Sequence, residues 1–130
     1  MKIKIGPYRK NRAYNIHIDD WDVWSLDYTL ATIIHPALIR LKEINHGYPE
    51  LWEEGMVTSH NYDRQLHFKF IDEEVERKYL LNKWELIMDK MIYAFEMIKK
   101  DNAIYWTNEE AEKVDEGLKL FGKHYQSLWD

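Results

Sequence analysis

Five cations, Lys2, Lys4, Arg9, Lys10 and Arg12, stand within the first twelve residues with no acid among them. Side chains of this kind donate charge-assisted hydrogen bonds to phosphate or carboxylate oxygens, so the basic end is the one place in the chain suited to an anion. The same charges also serve an exposed edge strand, which they guard against pairing with another chain. His17 with Asp19, Asp20 and Asp22 supplies the ligand types of a divalent-cation site. A loop of solvated acids capping the following helix is the better explanation of that second cluster.

Nucleophilic chemistry has little to work with. The chain has no cysteine, which excludes disulfides, thiol catalysis and cysteine metal sites. It also lacks a Gly-x-Ser-x-Gly elbow and a glycine-rich phosphate loop. The six histidines, His17, His35, His46, His60, His67 and His124, show none of the i,i+4 pairing of a helical metal site. Glu73, Glu74 and Glu76 ahead of Glu85 and Asp89 faintly resemble the acidic motifs with which MazG-type pyrophosphatases hold magnesium against a nucleotide. That family places an acid three residues after its glutamate, where this chain has Met88, and Asp89 comes four after. Solvated acids on a helix surface account for them, and the sequence reads as that of a non-enzyme that needs no metal or other cofactor.

Charge and composition set the frame for these groups. The net charge is −5, and because residues 1–12 carry +5 the remaining 118 sum to −10. An acidic body with one short basic arm is a poor match for a long nucleic acid, which needs a basic face, and a better match for a small anion. Length predicts one domain over residues 1–130, and six Trp, nine Tyr and four Phe supply a large apolar payload for its core. The longest uncharged run is about a dozen residues and no apolar core follows the basic start, so neither a membrane span nor a signal peptide is expected, and the expected location is the cytoplasm.

The elements that position the candidate groups follow from periodicity. Lys2-Ile3-Lys4-Ile5 alternates with period two up to Gly6-Pro7, and Tyr14, Ile16 and Ile18 alternate with Asn15, His17 and Asp19. Residues 1–19 therefore read as a basic β-hairpin, with Tyr8, Arg9, Lys10 and Arg12 in its loop. A helical body over 20–130 follows a turn at Asp20, Trp21 and Asp22. A helix over 26–45, capped by Ser25 or Asp27, carries the stripe Leu30, Ile33, Ile34, Ala37, Leu38 and Leu41. Pro36 predicts a kink beside His35, which reads as a structural histidine. Residues 48–63 around Trp52 and Met56 read as a long ordered loop, and Leu66, Phe68 and Phe70 as a short strand. From Asp72 the chain shows its longest helical pattern, with Tyr79, Leu80, Trp84, Ile87, Met88, Met91, Ile92, Phe95 and Ile98 on one face for about seven turns. Residues 101–106 break it, and Thr107 with Glu110 forms a capping box for a last helix striped by Val114, Leu118, Phe121, Tyr125 and Leu128. Gly117 and Gly122 inside that helix predict close helix contact or a break. The expected fold is α+β, a hairpin followed by three or four packed helices. Stripes this long predict that a second subunit covers part of them, in a dimer or tetramer.

Four blocks carry a resemblance. They are the opening Lys4-Ile5-Gly6-Pro7-Tyr8-Arg9; the segment Ile16-x-Ile18-Asp19-x-Trp21-Asp22-x-Trp24-Ser25-x-Asp27-x-Thr29-Leu30-Ala31 with Ile34, Pro36, Leu38, Leu41-Lys42 and His46-Gly47; Lys83-Trp84 through Asp89-x-Met91-Ile92-x-Ala94-Phe95-Glu96; and Gly117-x-x-x-Phe121-Gly122-Lys123-x-Tyr125-x-x-Leu128-Trp129-Asp130. Together they resemble a widespread family of small proteins encoded by tailed phages, many of whose members carry an insertion after the basic opening that this chain lacks. The resemblance extends to phage proteins that oppose cyclic-oligonucleotide (CBASS) defence. It implies an oligomeric sponge in the host cytoplasm that takes up cyclic dinucleotides such as 3′,3′-cyclic GMP–AMP and holds them without cleavage. On that reading Tyr8, Trp21 and Trp24 are stacking platforms for the bases. Arg9, Lys10 and Arg12 meet the phosphates, and Ser25 and Thr29 donate to a phosphate or a base edge, while Asp27 is left to capping or base reading. A virion or assembly component that binds other phage proteins is the alternative, and a metal-dependent nucleotide hydrolase the third reading.

Overall fold

A computed structural model describes residues 1–49, 51 and 73–129. Strands β1 (Lys2–Ile5) and β2 (Tyr14–His17) form an antiparallel hairpin, with Lys2 opposite His17, Ile3 opposite Ile16, Lys4 opposite Asn15 and Ile5 opposite Tyr14. Four helices follow: α1 (Asp20–Trp24), α2 (Leu26–Ile44), α3 (Glu73–Lys99) and α4 (Asn108–His124). The architecture is α+β, with helix packing dominant. The expected strand around Leu66, Phe68 and Phe70, and residues 52–63 of the expected loop with Trp52 and Met56, lie outside the described residues. Leu51 is buried and belongs to the core, with Tyr48 packed against it.

α3 is the central helix, packed against both α2 and α4. Trp84, Met88 and Met91 are its largest fully buried side chains, joined by Leu80 and Phe95 on the same face and by Ala31 and Leu38 from α2. The α3 stripe is as the periodicity predicts, except that Tyr79 is 56% exposed. In α2 the buried line is Ala31, Ile34, Leu38 and Leu41, so Leu30 and Ile33 are exposed shoulders rather than core. The small Ala31 is what faces the bulk of α3, and the larger Leu30 stays outside. In α4, Val114, Gly117 and His124 face inward with Leu120 and Phe121 beside them, while Leu118 and Tyr125 point outward. Gly117 is required there. A Cβ on it would lie 2.6 Å from the Ala94 Cβ and would overlap the Lys90 carbonyl, so only glycine lets α4 approach α3 this closely. Gly122 has open space around it.

The junctions follow local chemistry. Asp101, at φ 52°, and the 3₁₀ turn Ala103–Tyr105 separate α3 from α4. Thr107 then caps α4: its Oγ1 accepts from the Glu110 N–H at 3.1 Å, and the Glu110 carboxylate accepts from the Thr107 N–H at 3.1 Å. Two expectations about the start of the helical body need correction. Residues 20–22 are the first turn of α1 rather than a loop, held by the Asp22 carboxylate, which accepts from the Asp19 N–H at 2.8 Å. Ser25 occupies the N-cap position of α2, yet its side chain makes no capping bond. One helix runs almost directly into the next there, and the main-chain carbonyl of Ser25 takes the bonds instead, from the Thr29 N–H and hydroxyl. Asp27 lies in the first turn of α2. Pro36 sits inside an α2 that is a single helix. No helix among the described residues is long and apolar enough to cross a membrane.

Candidate ligand-binding surface

The hairpin is amphipathic because its register puts side chains of one kind on each face. Ile3, Ile5, Tyr14 and Ile16 share one face, and Lys2, Lys4, Asn15 and His17 share the other. Neither face is buried by the described residues, for all eight strand residues are exposed. The Gly6 N–H donates to the Ala13 carbonyl at 2.8 Å and closes the loop. Arg12 organises that loop. Its Nε donates to the Gly6 carbonyl at 2.9 Å, and its guanidinium lies 5.9 Å from the ring centres of both Tyr8 and Tyr14. Contacts of this kind hold a guanidinium against π faces while leaving donor groups for an anion. Tyr8 is 91% exposed, and Arg9 and Lys10 are exposed beside it with no ion pair among the described residues. Tyr14 was not a candidate on sequence grounds; it opens β2 two residues after Arg12, and the closing of the loop brings its ring to the guanidinium.

Trp21 and Trp24 form a second aromatic patch. Three residues apart on α1, their rings stack with centroids 6.1 Å apart and planes inclined by 16°, and both remain about four-fifths exposed. Ser25 is exposed at the end of α1, with no hydrogen bond from its hydroxyl to any described residue. The Thr29 hydroxyl is engaged, donating to the carbonyls of Asp22 at 3.0 Å and Ser25 at 3.1 Å, so it serves the α1–α2 junction and is left only acceptor capacity. The N-terminal amine donates to Asp22 at 2.9 Å, which ties the open end of the hairpin to α1. That amine, with the Asp19 N–H, holds the Asp22 carboxyl below its ordinary range. Met1, Ile3, Tyr28, Thr32 and Ile33 line a groove of about 430 Å³ between the hairpin and α2.

The predicted residues therefore fall into two groups. Tyr8, Arg9, Lys10 and Arg12 lie at the closed end of the hairpin, and Trp21, Trp24, Ser25 and Thr29 lie beside its open end. The four strand residues between them span about 13 Å. Within one chain the two groups do not meet.

The candidate metal and catalytic groups are engaged elsewhere. Nε2 of His17 lies 2.8 Å from Asp19, and Asp22 holds the N-terminus. Asp89 pairs with Lys42 across α3 and α2. Among the described residues no three His, Asp or Glu side chains are grouped to hold a metal ion. Nδ1 of His35 accepts from the Lys99 ammonium at 3.0 Å, which joins α2 to α3. Burial lowers the pKa of His35 and the charge of Lys99 adds to the effect. His124 is buried edge-on to Trp84, with ring centres 5.4 Å apart, and burial lowers its pKa too. Both histidines have structural roles. Comparison of the chain with protein-family models, with curated proteins and with solved structures finds no match.

Proposed function

We propose that this chain binds cyclic dinucleotides and holds them without cleavage, the role that its resemblance to phage antagonists of cyclic-oligonucleotide defence implies. The observation that carries the reading is the exposed cation and aromatic set at the hairpin loop, where Arg12 rests between Tyr8 and Tyr14 and Arg9 and Lys10 beside it have no ion pair among the described residues. A cyclic dinucleotide presents two phosphates and two bases. Tyr8, Trp21 and Trp24 offer open rings to the bases, and the loop cations offer donors to the phosphates. Sequestration against a receptor calls for nanomolar binding, about −12 kcal/mol. Two stacked bases at about 1–3 kcal/mol each supply part of this, and charge-assisted hydrogen bonds to the phosphates add to it.

The test is uptake and release. The full chain is incubated with a panel of cyclic dinucleotides and separated from free ligand, then heat-denatured, and the released nucleotide is analysed. Recovery of intact ligand is expected. Recovery of a cleaved product would replace the proposal with a nucleotide hydrolase. A specific observation favours the protein-binding alternative: Ile104 and Tyr105, in the turn between α3 and α4, are 87% and 82% exposed. Absence of uptake from every panel member, with the protein found in purified virions, would establish that reading instead.

A further inference from the structure

We infer that two copies of this chain pair through the free edge of β2, joining their hairpins into one four-stranded antiparallel sheet. The backbone presents this edge for bonding. The Gly6 N–H bonds to the Ala13 carbonyl, and antiparallel ladders alternate inward and outward bonding pairs. Asn15 and His17 therefore bond toward β1, while the N–H and C=O groups of Tyr14 and Ile16 point away from it. No hydrogen bond from these outward groups to a described residue is present, and Tyr14 and Ile16 are 61% and 59% exposed.

Charge selects this edge over the other. A two-fold axis perpendicular to the sheet relates two identical antiparallel neighbours, so a residue on the axis faces itself. Along β1 an axis at Lys2, Ile3 or Lys4 sets a lysine against a lysine of the second copy, a like-charge cross-strand pair, and an axis at Ile5 sets Ile3 against Pro7, which has no N–H to give. β2 carries only Tyr14, Asn15, Ile16 and His17. With the axis at Ile16, Ile16 meets the partner's Ile16 and Tyr14 meets the partner's Ile18. These pairs extend the apolar face that Ile3 and Ile5 begin.

The ends of the hairpin are complementary in the same arrangement. Its closed end bears Arg9, Lys10 and Arg12, and its open end runs into Asp19, Asp20 and Asp22. Antiparallel pairing lays the basic end of each copy along the acidic end of the other, twice per dimer. Neither Lys10 nor Asp20 has an ion-pair partner among the described residues. The aromatic groups follow the charges: the Tyr8 and Arg12 loop of one copy comes to the side of the second copy that carries Trp21 and Trp24. The pairing rests on the strand edge and the charges alone, so it holds or fails whatever the chain binds.

Solution mass is the test, read by light scattering or sedimentation of the full chain at up to about 100 μM, where even a micromolar dimer forms. Twice the 15.9 kDa chain mass is expected. Ile16→Pro removes an outward N–H and should halve the mass while leaving helical circular dichroism intact, because no strand residue is part of the buried core. A charge exchange covers the case in which proline disrupts the hairpin itself. Lys10→Glu with Arg12→Glu makes one chain acidic at both ends, and Asp19→Lys with Asp20→Lys makes another basic at both. Each alone should be a monomer, and an equimolar mixture should form a heterodimer. A monomeric wild-type chain overturns the inference. So does an oligomer whose mass neither Ile16→Pro nor the charge exchange changes.

Discussion

The helical bundle and the N-terminal ribbon use the same kind of side chain to opposite ends. In the bundle, the apolar stripes of α2, α3 and α4 close on one another, leaving Ala31, Met88 and Met91 with no exposed surface. In the ribbon, which we take as β1, β2 and α1, not one residue is buried, although Ile3, Ile5, Tyr14, Ile16, Trp21 and Trp24 would suit a core. Two strands and a five-residue helix have too little surface to bury one another. The comparison separates stability from binding. The bundle folds by internal burial, and the ribbon's apolar and aromatic groups stay available to something else. The ribbon also adds a surface that a second subunit could cover, beside the stripe residues Leu30, Ile33, Tyr79, Leu118 and Tyr125 that stay exposed on the bundle.

Substitutions on either side of that division test it. Trp84→Ala, at the centre of the bundle, should cost about 3–5 kcal/mol in urea unfolding, the range for loss of a buried large aromatic. Gly117→Ala should cost about 1–3 kcal/mol despite alanine's better helix propensity, because its Cβ would strike Ala94 and the Lys90 carbonyl. Gly122→Ala, with open space around it, should stabilise by about 0.5–1 kcal/mol in the same assay. If the two glycines behave alike, the close approach of α4 to α3 is wrong.

Acid should act on the bundle more gently. His35 and His124 have lowered pKa values in the fold, so below about pH 6.5 the unfolded chain binds protons that the folded chain does not. Stability should therefore fall as pH drops through that point. His35→Gln, which keeps an acceptor for Lys99, and His124→Gln should each flatten the fall; a profile unchanged in the double variant would remove the histidines as its cause. The smallest stability effect belongs to the ribbon. Trp21→Ala should shift unfolding by less than about 0.5 kcal/mol, as surface substitutions do. It should nevertheless weaken cyclic dinucleotide uptake by roughly 5- to 150-fold, the range that corresponds to one lost base stack. A large loss of stability instead would make Trp21 part of the core.

Much of the bundle was legible because helical period and capping are local. The capping box at Thr107 and Glu110, the break after α3 and the inward line of Trp84, Met88 and Met91 are all written in neighbouring residues. Which shoulder of a stripe turns inward depends on the partner helix, which is why Ala31 displaces Leu30 and why Tyr79 and Tyr125 lie outside. α1 was missed because five residues carry no period, and its capping depends on Asp22 reaching back to the Asp19 N–H. The hairpin, its register and the basic loop were readable from alternation and from Gly6-Pro7. Tyr14 as a second ring for Arg12 was not, since that contact depends on how the loop closes. The separation of the loop cations from Trp21 and Trp24 was hidden as well, because nearness in sequence says nothing about opposite ends of a strand.

Gly117 has a mechanical meaning beyond the stability it controls. Where α4 touches the backbone of α3 there is clearance for a hydrogen atom and for nothing larger. If α4 turned like a screw by one residue in either direction, Glu116 or Leu118 would enter that gap and collide with Lys90 and Ala94. The two helices are thus keyed like a pin in a slot, free neither to ratchet nor to shift in small steps. A signal reaching α3 could not pass to α4 as a sliding motion across this joint.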